Sequence, residues 1–259
     1  MRAKLGLLVV PAAWIPGMAL AGAWPQAPGA TQVITSCEPG SASRAFDSDG
    51  QRSRLSYGWK QSDVSVFIDH GVSQHFTFSA KIDLQDYRNG SMRFSGLGSV
   101  EAGGRWTVHK GRSFVFALGA SVEGLGKGRR SDFDTVTKAG TDYDLRAYAG
   151  KSFRIAGVDV FVDLQAARHL RQYEADQWRV DATLGLKPSP RWMVLAQAFA
   201  GRTDRQAWGQ ATWVNSEVSL VRSFGPKQNL SLQVGFRQTT AGRNVPAVHA
   251  IIIGLWRTF

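Results

Sequence analysis

The sequence predicts an all-β protein, a twelve-stranded antiparallel transmembrane β-barrel with periplasmic N- and C-termini. Apolar and polar residues alternate through most of residues 55–259, as expected for strands with one face toward lipid and the other toward a lumen. The breaks between the alternating runs are short and longer in strict succession. A typical run of about eleven residues also suits a strand that crosses a bilayer at a tilt.

Residues 1–21 have the composition of a secretory signal peptide. Two basic residues precede a short apolar run, and two A-x-A cleavage patterns end at Ala21 and Ala23. We therefore expect cleavage near residues 21–23, with residues 22–259 forming the barrel domain. Loss of the two basic residues lowers the formal net charge of the chain from +11 to +9.

Twelve runs after the leader read as strands, and their polar residues alternate with apolar ones most regularly between Phe76 and Gln85. In the second run the alternation changes parity between Lys60 and Asp63, which predicts a β-bulge there. The predicted strands cover residues 33–37, 55–70, 76–85, 94–108, 113–124, 144–149, 158–165, 178–187, 192–202, 211–224, 230–237 and 247–259.

The connections between these strands sort by length. The short ones cover residues 71–74, 109–112, 154–157, 187–190 and 225–228. The longer ones cover residues 38–51, 86–92, 125–141, 168–175, 203–209 and 240–245. Membrane barrels with an even strand count have short periplasmic turns and longer external loops, so both termini are expected on the periplasmic side.

Aromatic residues near the ends of the predicted strands match the girdle that a barrel places at the lipid–water interface. The alternative is that they form the core of a soluble β protein, but the apolar outward face of nearly every strand would then be exposed. The girdle candidates are Trp59, Trp106, Phe153, Trp178, Trp192, Phe224 and Phe259.

The inward face of the predicted barrel carries charges of both signs. These candidate pore-lining residues are Lys81, Asp83, Glu101, Arg105, Glu123, Asp144, Arg146, Asp159, Asp163, Arg179, Asp181, Glu217 and Arg237. They form either a structural ion-pair network that fills the barrel or a narrow hydrated pore that selects solutes. Twelve strands lie between the filled eight-stranded barrels and the open sixteen-stranded ones, so strand number does not decide.

The predicted external loops are basic. Facing outward, they would meet the anionic head groups of lipopolysaccharide; capture of an acidic substrate is the alternative. Nucleic-acid binding is not expected from an exported chain with no basic recognition helix. The loop bases are Lys127, Arg129, Arg130, Arg168, Arg171, Arg202 and Arg205.

No catalytic or metal-binding motif is present in the sequence, and no cofactor or metal is expected. The one rim histidine that an acid and a nucleophile could approach is His169, with Asp176 and Ser131 as its partners. No motif surrounds it, so the sequence favours a protein that is not an enzyme.

The last predicted strand ends on Phe259, and here the chain resembles Gram-negative outer-membrane β-barrels. This resemblance implies an outer-membrane location and a C-terminal insertion signal comprising Leu255, Trp256 and Phe259. It also implies outer-membrane lipid, lipopolysaccharide and the barrel-assembly machinery as partners. The chain departs from the family pattern by having Arg257 third from the end.

The start of the expected mature chain, GAWPQAPGATQVI, and the later AFDSDG resemble small barrels that occur with exopolysaccharide-biosynthesis proteins (XagA-like). This resemblance implies exopolysaccharide as a partner and transfers no catalytic residue. We therefore expect a narrow channel or export-associated pore for polysaccharide or acidic solutes. The alternatives are a filled barrel with a structural or surface-interaction role and, third, an outer-membrane lipid-modifying enzyme.

Overall fold

The computed structural model describes residues 22–90, 92–128, 139–207 and 209–259. Within these ranges the chain is all-β, and no helix is long and apolar enough to cross a membrane. The expected signal peptide lies outside the described residues. The strands are β1 Thr31–Phe46, β2 Arg52–Gly71, β3 Phe76–Asn89, β4 Met92–Lys110, β5 Phe114–Gly124, β6 Asp142–Ile155, β7 Val158–Leu170, β8 Gln177–Ser189, β9 Trp192–Thr203, β10 Thr212–Phe224, β11 Leu230–Arg243, β12 Val245–Pro246 and β13 His249–Thr258.

The twelve long strands form one closed antiparallel barrel, which confirms the predicted fold class. Each long strand pairs with the next one along the chain, and β1 pairs with both β2 and β13 to close the sheet. The two-residue β12 pairs with the end of β1. Backbone hydrogen bonds between Thr31 and Phe259 complete the seam where the described chain starts and ends.

The two ends of the barrel differ. One end, here called the turn end, holds both termini of the described chain and the connections 72–75, 111–113, 156–157, 190–191 and 225–229. The opposite loop end holds the connections 47–51, 90–91, 125–141, 171–176, 204–211 and 244–248. Which side of a membrane the turn end faces stays a prediction.

The outward face is apolar along most of the strands, as the alternation predicted. Among its exposed side chains are Phe78, Ile82, Leu84, Leu118, Leu145, Leu164, Leu184, Leu220, Val234, Ile251 and Ile253. Six of the seven girdle candidates are also exposed, near strand ends: Trp106, Phe153, Trp178, Trp192, Phe224 and Phe259. Such a surface is stable against lipid and not against water.

Two of the predicted longer loops are wrong, because polar residues continue into strands. The first strand does not end at Cys37 but runs to Phe46, so that residues 38–46 of the predicted loop are paired. The predicted loop 86–92 shrinks to residues 90–91 between β3 and β4. Near the loop end the strands continue past the apolar part of the outward face. In these outer parts apolar residues no longer alternate regularly with polar ones, so the sequence does not indicate a strand.

The predicted bulge between Lys60 and Asp63 is displaced toward the loop end. The register of β1 against β2 shifts between Ala42 and Arg44, opposite residues 55–58. Trp59 therefore points inward, where it is buried edge-on against Tyr87 with ring centroids 4.8 Å apart. Its predicted place in the outer aromatic girdle is wrong.

Packing inside the barrel makes a stability prediction at Gly201. A Cβ atom added there would lie 2.2 Å from the ring of Trp213, which is buried in an apolar cluster inside the barrel. We expect Gly201→Ala to destabilise the barrel by about 1–3 kcal/mol, as overpacking in a full interior does.

The measurement is the temperature at which the folded band disappears when unheated and heated samples are compared by gel electrophoresis. Gly58→Ala is the matched control, because an added Cβ there meets open space. Equal loss temperatures for the two variants would contradict the packing described.

Candidate functional site: the charged lumen

The interior has a charged middle between apolar clusters at both ends. At the turn end, Phe161, Met193, Leu195, Val221 and Trp256 form a buried cluster inside the barrel. Near the loop end, one cluster contains Ala42, Trp59, Tyr87 and Val248, and another contains Phe46, Ala211, Trp213 and Val245. Polar and charged residues from nearly all strands occupy the space between.

The larger cavities in this middle layer have volumes of about 350, 230 and 190 Å³. The 350 Å³ cavity shares Glu101 and Arg146 with the second and Glu38 and Arg237 with the third. The cavities therefore adjoin at charged residues that line two of them at once.

Two arginines link carboxylates from different strands of the lumen wall, and each reaches across an intervening strand. Arg146 donates to Asp144 at 3.0 Å and to Asp181 at 2.6 Å. Arg237 donates to Glu38 at 2.7 Å and to Glu217 at 3.0 Å. Each guanidinium thus neutralises two carboxylates, which offsets much of the cost of enclosing them.

Other predicted wall residues have partners on their own strand or on the next one. Lys81 pairs with Asp83 at 3.0 Å. The Ser121 hydroxyl donates to Glu101, and Arg179 donates to the side-chain oxygen of Gln177 at 2.9 Å.

Acids outnumber bases in the described walls of the three cavities. The carboxylates are Glu38, Asp63, Asp83, Glu101, Glu123, Asp144, Asp163, Asp181 and Glu217. The bases are Lys81, Arg105, Arg146, Arg179 and Arg237. With every acid and base counted as ionised, the described lumen wall is therefore formally negative, in a chain whose formal net charge is +11.

An enclosed ion pair lies deeper, toward the turn end. Arg105 donates to Asp69 at 2.7 Å, and both side chains are buried. Asp69 also accepts a hydrogen bond from the Ser79 hydroxyl, and Arg105 donates to the Trp24 carbonyl oxygen at 3.1 Å. The pair thus joins the barrel wall to the segment that precedes β1.

That N-terminal segment, residues 22–30, folds into the turn end of the lumen. The Ala23 backbone N–H donates to Asp163 at 2.6 Å, and the Gln26 backbone N–H donates to the Thr77 hydroxyl at 3.2 Å. The Trp24 ring packs on the turn-end apolar cluster, edge-on to Phe161. The segment therefore lies inside the turn end of the lumen, against its wall.

Trp24 also accounts for a glycine in the barrel wall. A Cβ atom at Gly150 of β6 would lie 2.4 Å from the Trp24 ring. The indole thus rests directly on backbone, where another residue would displace it.

Of the thirteen predicted pore-lining residues, the structure brings twelve to the interior and leaves one outside. Asp159 lies at the turn-end rim, where it pairs with the exposed Arg154 at 2.6 Å. The alternation placed it correctly on the inward face, but β7 begins there and the lumen does not reach it.

Sequence reasoning missed other interior residues. Glu38 fell in a predicted loop that is in fact β1, and Asp63 lay beside the misplaced bulge. Asp142 lay at the boundary of a predicted loop, although it opens β6 and is buried. No pattern in the sequence indicated that residues 22–30 enter the lumen.

The basic loop residues do not behave alike. Lys127, Arg202 and Arg205 are exposed at the loop end, whereas Arg129 and Arg130 lie outside the described residues. Arg168 pairs with Asp176 and Asp204, and its guanidinium holds the pKa of the Asp204 carboxyl below the usual range. Arg171 is buried with its Nε 3.7 Å from Asp142, so its expected outward position is wrong.

His169 is enclosed rather than exposed at the rim. Its ring nitrogens lie 3.5 Å from Asp144, 3.6 Å from Asp142 and 3.8 Å from Glu123. The Asp176 carboxylate instead accepts hydrogen bonds from the Arg168 guanidinium and from the Arg171 backbone N–H. Ser131 lies outside the described residues. The expected grouping of His169 with Asp176 is therefore wrong. Across the described ranges, no group of His, Cys, Asp and Glu side chains has the geometry of a metal site.

The Arg105–Asp69 pair makes a stability prediction. Arg105→Ala leaves the buried Asp69 carboxylate without its cation, which typically costs about 3–5 kcal/mol. We expect a clear fall in the urea midpoint for unfolding from lipid vesicles. Addition of Asp69→Asn should recover part of the loss, because the uncompensated charge is removed.

The matched control is Arg154→Ala, which breaks the exposed pair with Asp159 at the turn-end rim. Exposed pairs contribute little to stability, so its midpoint should stay near that of the unmodified protein. An equal effect of the two arginine substitutions would show that Arg105 is not the buried partner described.

Comparisons with known proteins support the fold. No family model and no curated protein matches the chain. Among solved structures, the COG4313 outer membrane channel from Pseudomonas putida F1 aligns with a TM-score of 0.69 and 12% identity over 94% of this chain and 100% of that one. The KdgM porin aligns with a TM-score of 0.55 and 10% identity over 88% and 99%, and the NanC porin with 0.52 and 8% over 85% and 98%. The chain thus has the fold of Gram-negative outer-membrane barrels.

Proposed function

We propose that this protein is a narrow channel of the Gram-negative outer membrane. The observation that carries the proposal is the charged middle of the lumen, where adjoining cavities of about 350, 230 and 190 Å³ share charged lining residues. A barrel built only as a structural support gains nothing from enclosing charge, since apolar packing is as stable or more stable. Fixed charges beside water-accessible space are what a selective pore needs.

The sign of the wall favours cations and neutral polar solutes over acidic ones. The described walls of the three cavities have nine carboxylates and five bases, and a confined field of one sign concentrates the opposite ion. The expected preference for acidic solutes therefore lacks support from the lumen. Neutral sugars remain compatible with a wall rich in carboxylate, amide and guanidinium groups.

The N-terminal segment makes the closed form the resting form. Trp24, together with the apolar cluster at the turn end, fills the lumen below the charged layer. Passage of a solute requires this segment to move aside. Its contacts with the wall include single hydrogen bonds to Asp163, Thr77 and Arg105, which makes such displacement more accessible than rearrangement of the closed sheet.

Similar folds support conduction by analogy. The COG4313 protein is described as an outer membrane channel, and KdgM and NanC are porins. KdgM has also been solved in complex with disordered oligogalacturonate. The proposal has three further parts. They are a role in exopolysaccharide passage, contacts of the basic loops with lipopolysaccharide, and delivery by the barrel-assembly machinery through Leu255, Trp256 and Phe259.

A filled barrel with a structural or surface role is the second candidate. Apolar clusters inside both ends favour it, because a permanently open pore has no reason to bury Trp59 and Trp256 in its lumen. The two candidates differ in whether the N-terminal segment leaves the lumen. A lipid-modifying enzyme is not favoured, since His169 is enclosed by carboxylates.

Single-channel recording in a planar bilayer tests conduction. We expect discrete steps from the refolded protein and a larger open fraction for Trp24→Ala. Truncation of a fully buried Trp costs several kcal/mol, and Trp24 is half-buried. A loss of only about 1.4 kcal/mol from the closed form would already raise the open fraction tenfold.

Trp192→Ala is the control, because this tryptophan lies on the outer surface near the same end. It should leave the open fraction unchanged. Silence from the unmodified protein and from Trp24→Ala, with insertion verified by protease protection, would favour the filled barrel instead.

A measurement of ion selectivity tests the sign of the charge on the lumen wall. In a KCl gradient the reversal potential should indicate preference for K⁺ over Cl⁻, and Glu101→Gln combined with Glu123→Gln should reduce it. Asp159→Asn is the matched control, since Asp159 lies at the rim with Arg154. Preference for Cl⁻ in the unmodified channel would contradict the proposed selectivity.

A further inference from the structure

The buried Asp163 carboxylate has two hydrogen-bond donors but no cation. Its Oδ2 accepts from the Ala23 amide at 2.6 Å and its Oδ1 from the Gln165 side chain at 2.8 Å. Only 4% of the residue is exposed. Among the described residues, no Lys, Arg or His forms an ion pair with it, and Arg105 is already paired with Asp69.

This situation differs from that of the neighbouring lumen acids. Asp69, Asp144, Asp181 and Glu217 each have an arginine within ion-pair distance. A buried carboxylate without a counter-charge is costly. The wall around Asp163 therefore lacks one positive group.

The backbone nearest to this carboxylate is that of Gly22 and Ala23. Both residues are buried, and a Cβ atom added to Gly22 would lie 2.7 Å from Asp163 Oδ2. Gly22 is thus packed directly against the carboxylate, at a place where no side chain fits. It is also the residue that follows Ala21, the end of the first A-x-A pattern.

We propose that a signal peptidase cleaves between Ala21 and Gly22, and that the new α-ammonium group of Gly22 is the missing partner of Asp163. Hydrolysis adds water across the peptide bond, leaving a carboxylate on Ala21 and an amine on Gly22. The amine is protonated at neutral pH. Export thus creates the cation that fixes the N-terminal segment inside the barrel.

The structure distinguishes this cleavage position from the second A-x-A pattern, which ends at Ala23. Cleavage after Ala23 would remove Gly22 and Ala23, and with them the hydrogen bond that the Ala23 backbone amide donates to Asp163. Asp163 would then keep the hydrogen bond from Gln165 and lose the one from Ala23. Cleavage after Ala21 keeps that hydrogen bond and adds an ion pair.

The inference rests on export of the chain but not on conduction, so a silent bilayer would leave it intact. The first measurement is the intact mass of the protein purified from outer membranes of a Gram-negative host. A mature chain that begins at Gly22 is expected. A chain that begins at Trp24, or one that keeps the leader, overturns the proposal.

The second measurement tests the ion pair by the rate at which 2-pyridinecarboxaldehyde, a reagent selective for α-amines, labels the folded protein. Pairing with a carboxylate favours the unreactive protonated amine, and we expect labelling at least about tenfold slower than in urea. Asp163→Asn should remove most of this protection. Asp159→Asn, the same substitution at the rim of the same strand, should not.

Equal labelling rates for the folded protein, the urea-unfolded protein and Asp163→Asn overturn the ion pair even if Gly22 is the first residue. If Asp163→Asn gives no heat-modifiable band, the comparison of folded with unfolded unmodified protein decides alone. Protection there supports the pair, and its absence refutes it.

Discussion

The pairing of β1 with both β2 and β13 is the constraint on which the rest of the structure depends. A strand left at an edge would expose unpaired backbone groups, which lipid cannot hydrogen-bond. Closure removes the edge and divides every strand into an outward and an inward residue set. The apolar exterior and the charged interior are both consequences of that division.

Closure also explains why the interior charges are paired. Twelve strands enclose a space too narrow for bulk water around each charge, so the side chains must satisfy one another. Arg146 and Arg237 do so by bridging two carboxylates each. The remaining excess of acids faces the cavities, where water can solvate it. Charge is thus concentrated where the barrel keeps space, and apolar side chains fill the ends.

The sequence predicted the fold class well because alternation is a local signal repeated along the chain. It predicted most lumen residues for the same reason, since parity assigns each residue to a face. It failed where the signal weakens or depends on distant contacts. Residues 38–46 and 86–89 lack apolar alternation although they are strand, and Trp59 reverses its direction through a register shift opposite Ser43. Alternation also tells which face of a strand a residue lies on but not its position along the barrel axis. For this reason the sequence predicts Asp159 in the lumen, although it lies at the rim.

The N-terminal segment is the feature that local patterns were least able to indicate. Its Pro- and Gly-rich sequence is that of a lead into the first strand, and its contacts with Thr77, Arg105 and Asp163 join residues far apart in the chain. Only these contacts explain the glycines at positions 150 and 22, because a Cβ atom would lie against Trp24 at the first and against Asp163 at the second. The same segment covers the apolar cluster at the turn end and holds Arg105, so the barrel interior is complete only with the segment inside. In the proposed channel, a conducting state would have to expose Phe161 and Trp256 to water or cover them again. The proposal therefore implies a stable closed state and two discrete forms of the lumen rather than a fixed bore.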